Sequence, residues 1–181
     1  EGFLPETCLA WEAATAPAAD AGVRVAIPRI GVVLSGRGGA LPRMLTPFRI
    51  GAGGRVGSGR QMMSWIALDD LVGVIHALLF DAGFAGPVNA TAPTPVDNRT
   101  FTRSLAGVLR RPAIFPAPAF ALRLALGEMA DALLLTGADV RPARLLGAGF
   151  RFGHRELESA LRAELGRFDG PPGGDLRFET A

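Results

Sequence analysis

Two glycine-rich loops and one vicinal pair of acids are the places where this sequence offers residues that could do chemistry. A glycine-rich turn after a strand presents backbone N–H groups to a phosphate when a helix follows at once. Ser35–Gly39, SGRGG, follows an apolar run, but the acidic ribose-binding residue that belongs about 20 positions further on is missing. Gly51–Gly59, GAGGRVGSG, departs from GxGxxG spacing and leads into a strand. Both loops read as connections in which glycine supplies positive φ. No Walker A loop is possible, because the chain has no Lys and all 19 of its Lys+Arg residues are Arg. Gly57-Ser58-Gly59 lacks the GxSxG spacing of a nucleophile elbow. His76 and His154 have no second His at ligand spacing, so no metal site is expected. Asp69 and Asp70 diverge by about 100° on a helix and do not chelate as one face; the reading is that one of them caps the helix they open. Cys8, the one cysteine, rules out an internal disulfide and reads as a reduced thiol on a helix face in a reducing, cytoplasmic compartment.

The elements that position these residues follow from periodicity and punctuation. Phe3–Ala19 is expected as a helix with Leu4, Cys8 and Trp11 on one apolar face, stopped by Gly22. Val23–Leu34, VRVAIPRIGVVL, reads as a β-branched strand buried on both faces, with Pro28 marking a bulge or strand end. A short helix over Leu41–Ile50, a strand over Met62–Leu68 and a helix with Leu71, Val74, Ile75 and Leu78 inward come next. Val88–Thr91 is a further short strand, and Thr100–Leu109 a helix facing inward through Phe101, Leu105 and Val108/Leu109. From Arg111 the sequence becomes Pro-punctuated and helical: Ala119–Leu135, a short helix opened by Pro142, then Arg155–Leu165 with Leu157, Leu161 and Leu165 in a stripe. The segments are therefore residues 1–110, an α/β region; 111–166, a small helical domain; and 167–181, a flexible tail carrying GPPGG.

Composition bounds the partners. The chain is 49% hydrophobic and 20% charged with a net charge of +2, an ordinary globular balance. Its arginines are scattered and do not alternate with aromatics, which argues against nucleic acid. The apolar stretch Pro112–Leu135 is interrupted by Arg123, Glu128 and Asp131 and reads as a buried helix, not a membrane span.

Taken in order, several runs resemble the atypical extended branch of the short-chain dehydrogenase/reductase superfamily, the NAD-dependent epimerase/dehydratase group that ends in a domain of unknown function, DUF1731. They are Trp11–Ala14, Arg29–Leu34, Gly38–Pro42, Gly57–Asp70 and Gly86–Pro93, and then Gly127–Ala130 and Pro142–Phe152. The resemblance covers Leu4–Leu165. It implies an α/β fold: the C-terminal part of a Rossmann-like extended short-chain dehydrogenase plus a small, mainly helical C-terminal domain. It implies that Arg29, Ile30, Gly31 and Val32 lie beside the nicotinamide of NAD(P), and that Arg60, Gln61, Ser64 and Trp65 line a cleft for a small-molecule substrate.

Three departures qualify what the resemblance implies. Met63 and Ser64 stand where sugar-nucleotide members carry Arg-Asp, and Ala67 where they carry His. The chain has neither Tyr nor Lys, so the family's Tyr-x-x-x-Lys proton-transfer pair is missing, as is the dinucleotide fingerprint. Both are expected in an N-terminal Rossmann portion preceding Glu1. The chain alone is then expected to be inactive and to bind no NAD(P), and Val23–Leu34 to lack strand neighbours. The alternative is a non-catalytic binding or interaction module reusing the fold, with an association with cell division.

Overall fold

The computed structural model describes residues 3–127 and 130–167. Helix α1 (Phe3–Ala13) and the short α2 (Ala16–Asp20) lead into β1 (Ala26–Ile30) and β2 (Val32–Leu34). Then come α3 (Ala40–Arg49), β3 (Met62–Met63), β4 (Trp65–Ala67), α4 (Leu68–Phe80), β5 (Gly86–Ala90), β6 (Val96–Asp97) and α5 (Asn98–Leu109). Helix α6 (Ala119–Leu126), a π-helical turn (Asp131–Leu135), α7 (Ala143–Gly147) and α8 (Leu157–Glu164) complete the order.

The run expected as one strand is two. β1 pairs in parallel with β5, and β2 in parallel with β4, so the chain changes partner at Gly31. The Met62–Leu68 strand breaks in the same way at Ser64: β3 pairs antiparallel with β6 before β4 joins β2. The two breaks touch. Val32 N–H donates to the Ser64 carbonyl at 2.8 Å, and a Cβ on Gly31 would lie 2.6 Å from that oxygen. Only glycine permits the approach.

Burial on both faces of Val23–Leu34 is also corrected. β1 is half-buried to exposed along its length, and among the described residues it pairs with β5 alone. Pro28 marks neither a bulge nor an end; it sits mid-strand opposite Val88. Val25 and Gly31 turn their backbone polar groups to β5, so alternation turns the donor-less nitrogen of Pro28 to the other edge.

The β2–β4 pair divides two apolar clusters, because successive strand side chains point to opposite faces. Leu34, Trp65 and Ala67 pack with Leu41, Leu45 and Phe48 of α3, Phe101 and Leu105 of α5, and Leu157 and Leu161 of α8. Ile66 packs on the other side with Val74 and Leu78 of α4, Val88, Leu145 and Phe152. The inward faces read for α5 and α8 are those observed. On α4, Ile75 is exposed rather than buried.

Two helices differ from expectation in burial. α1 ends at Ala13, and Pro17 opens α2; no residue of α1 is buried, with Phe3 81% and Trp11 72% exposed. In the apolar stretch read as a buried helix, Phe120 and Leu124 face outward. No helix among the described residues is long and apolar enough to cross a membrane. The tail expected to be flexible lies outside the described residues beyond Arg167.

Candidate functional site

The acids read as a helix cap do other work. α4 has Ala67 at its N-cap and no side-chain cap bond. Asp69 is exposed. The Asp70 carboxylate is buried and accepts from the backbone N–H of Gly153 at 2.7 Å and of His154 at 2.9 Å. It ties the segment after α7 to the first turn of α4. The Ser35–Gly39 loop is likewise spoken for: Gly36 N–H donates to the Glu164 carboxylate at 3.0 Å. In the second loop Gly51, Gly57 and Gly59 all have positive φ, as a connecting loop requires. His76 is exposed and stacks on Phe80. No cluster of His, Cys, Asp or Glu among the described residues could hold a metal.

The contact between the breaks at Gly31 and Ser64 is where two clefts meet. One, about 850 Å³, lies between α1 and β1 and is lined by Trp11, Glu12, Arg29, Asn89 and Thr91 among others. The other, about 390 Å³, is lined by Val32, Met44, Gln61, Met63, Asn98 and Leu134 among others. Ile30, Gly31, Ser64 and Val140 line both. The four residues expected beside a cofactor therefore stand together along this junction. Arg29 forks onto Glu12, with both bonds at 2.7 Å. That hydrogen bond holds the Glu12 carboxyl below the usual carboxylate range, and Glu12 raises Arg29 in turn.

The four residues expected on the substrate side do not stay together. Arg60 is exposed and lines neither cleft. Trp65 is fully buried in the core, its indole N–H donating to the Thr94 carbonyl at 3.0 Å. Ser64 lines both clefts, yet its hydroxyl donates to the Ala138 carbonyl and accepts from Val140 N–H. Gln61 donates through Nε2 to the carbonyls of Val56 and Leu134, at 3.0 and 2.9 Å. Its Oε1 is buried and among the described residues has no donor, which is costly for a buried acceptor.

Sequence reasoning missed the segment 137–141, which straps the clefts. Besides the Ser64 bonds, Thr91 Oγ1 donates to the Val140 carbonyl and Asn89 Nδ2 to the Arg141 carbonyl, each at 3.1 Å. Gly137 lies so close to Met62 that a Cβ would collide with its carbonyl. The one local signal was Thr-Gly after an apolar run. The π-helical turn that precedes the strap supplies Leu134, and such turns recur at functional sites.

Residues 117–164 match the family model described as a domain of unknown function, DUF1731. An epimerase family protein of Mycobacterium bovis is 46% identical over 160 residues, which are 88% of this chain and 53% of that protein. The epimerase family protein YfhF of Bacillus subtilis is 42% identical over 161 residues, 89% of this chain and 52% of that protein. The chain is related to the C-terminal part of the atypical extended short-chain dehydrogenase/reductases.

It spans about half the length of the curated relatives it matches. Within this epimerase-like family, the solved human SDR39U1 (isoform 2), a structure with NADPH, aligns with TM-score 0.76 and 35% identity over 81% of this chain and 50% of that one. A nucleoside-diphosphate sugar epimerase from Corynebacterium glutamicum aligns with TM-score 0.71 and 38% identity, covering 92% of this chain and 31% of that one. A Thermus thermophilus UDP-glucose 4-epimerase with NAD, at 14% identity and TM-score 0.59, shares the Rossmann-like fold.

Proposed function

We propose that this chain supplies one wall of a nicotinamide-cofactor pocket and most of the substrate cleft of an NAD(P)-dependent, epimerase-like oxidoreductase. The observation that carries the reading is the junction at Gly31 and Ser64. It lies just beyond the carboxyl ends of the parallel pair β1–β5, where open α/β sheets bind ligands. Relatives of this sequence are epimerase family proteins, and the human one was solved with NADPH.

The residues fit one side of a cofactor. Ile30 and Gly31 give an apolar wall for a flat ring, and Arg29 is fixed by Glu12 at its border. Neither glycine-rich loop has the fingerprint that would hold the pyrophosphate. The cofactor, where bound, supplies the hydride exchange. This chain's part is to exclude water and to line the substrate cleft at Gly31, Ser64 and the strap. Proton transfer falls to groups that this sequence lacks, since it has no Tyr and no Lys.

Calorimetric titration of NADPH tests the reading. The 181-residue chain should give no saturable heat, and the same chain joined to an N-terminal Rossmann portion should. Saturable micromolar binding by this chain alone, or no binding by the joined protein, would defeat it.

A further inference from the structure

A third cleft, of about 480 Å³, lies on the outer side of α5 and shares no lining residue with the other two. Arg55, Arg99 and Arg103 line it, and no carboxylate does. Its rims are fixed. Ala117 N–H donates to the Arg55 carbonyl and Gly57 N–H to the Ala117 carbonyl, each at 2.9 Å, so the glycine-rich loop and the segment before α6 are zipped together. Arg99 N–H donates to the Gly59 carbonyl at 2.9 Å, joining that loop to α5. Arg55 is oriented by a 3.0 Å bond to the Ser58 carbonyl, which leaves most of its donors free.

The arginines on α5 run against the helix. Arg99 and Arg103 sit in its N-terminal half, whose first turn carries no acid, and the helix dipole disfavours cations there. Asp97 acts electrostatically on both arginines, but its carboxylate is committed to Thr100 N–H as the N-cap, and among the described residues no salt bridge joins it to either arginine. A second arginine cleft, lined by Arg49, Arg111 and Arg167, differs in this respect. Arg49 lies in the last turn of α3 and Arg111 just past α5, where cations suit the dipole. A charge arrangement that breaks a local rule points to a ligand.

We propose that Arg55, Arg99 and Arg103 bind the phosphate group of a small organic phosphate. The guanidinium forks match phosphate oxygens in pairs, and Thr102 adds a hydroxyl to the lining. Ala106, Ala113 and Ile114 form an apolar floor for the ligand's remainder. The volume falls within the range of small-molecule sites, about 300–1,000 Å³.

The test titrates the protein with inorganic phosphate and with phenyl phosphate, followed by calorimetry. Phenyl phosphate should bind saturably and several-fold more tightly than inorganic phosphate. The R99Q/R103Q pair should weaken it by about tenfold or more, the loss of charge-assisted bonds, whereas R49Q/R111Q should leave it unchanged. Since the wild-type needs no refolding check, arginine modification by phenylglyoxal, read by peptide mass spectrometry, gives a second measurement. Phenyl phosphate should protect Arg55, Arg99 and Arg103 and leave Arg49 and Arg111 reactive. No saturable binding, equal loss in both double variants, or equal protection at all five arginines would overturn the proposal.

Discussion

The buried carboxylate of Asp70 accepts the backbone N–H of His154 at 2.9 Å, across 84 positions of sequence. With the Gly153 bond beside it, one side chain fixes the path of the chain between α7 and α8. The neighbouring Asp69 has no such role, so the pair separates cleanly by mutation.

Asp70→Ala should cost about 2–4 kcal/mol of stability, because two part-buried backbone N–H donors lose a buried, charged partner. Asp69→Ala should cost about 0.5 kcal/mol, the dipole contribution of an exposed acid in a first turn. Urea denaturation measures both, and amide exchange at Gly153 and His154 should rise in the Asp70 variant alone. Equal losses would restore the helix-cap reading.

Gly31→Ala should destabilise by about 1–3 kcal/mol, the usual cost of overpacking. The added methyl would sit 2.6 Å from the Ser64 carbonyl and force the two strand breaks apart. Gly22→Ala is the control for backbone strain: Gly22 has positive φ but open space around it. A Gly31 variant as stable as wild-type in a denaturant melt would show that the breaks are not locked together.

Asp97 gives α5 a pH dependence. Its side chain accepts Thr100 N–H at 2.8 Å. Bonds from the Thr100 hydroxyl first, and then from its backbone N–H, hold the carboxyl below the ordinary range. A depressed folded-state pKa stabilises above the unfolded value, about 3.9, and that contribution is lost as pH falls through the folded value. Asp97→Ala should therefore cost about 1 kcal/mol at neutral pH and flatten the acid limb of the stability curve. An unchanged acid limb would remove the cap from the account.

The 181-residue chain studied by itself should self-associate through α1, whose Phe3, Leu9 and Trp11 are exposed. Leu9→Glu with Trp11→Glu should raise the concentration needed for association by about tenfold, equivalent to about 1.4 kcal/mol. Sedimentation velocity reads the outcome; a monomer at all concentrations would count against it.

Legibility in the sequence followed the range of the interactions. The inward face of α5 could be read, because Phe101, Leu105 and Val108 encode it within one helix. The parallel α/β character of Val23–Leu34 was readable too. Its division was not, because a β-branched run looks the same whether or not it changes partner, and the one cue was Gly31. Asp70 offered no local signal, since its partners lie more than 80 residues on. The positions of the candidate site residues were legible in the same uneven way. Arg29–Val32 and Gln61 stand at the clefts, but Trp65 was read by type as a contact when its burial makes it core. The strap at 137–141 is held by side chains from the Ser64 break and from the end of β5, a relation that periodicity does not carry.

Pro28 limits how anything can join the outer side of β1. With its ring nitrogen facing that side, the strand offers N–H groups there only from Ala26 and Ile30, a gap of four residues between donors. An incoming segment must place its carbonyls opposite those two positions and meet a blank between them. A regular strand shifted by two meets the same blank, so whatever pairs there forgoes one bond at Pro28 in every register.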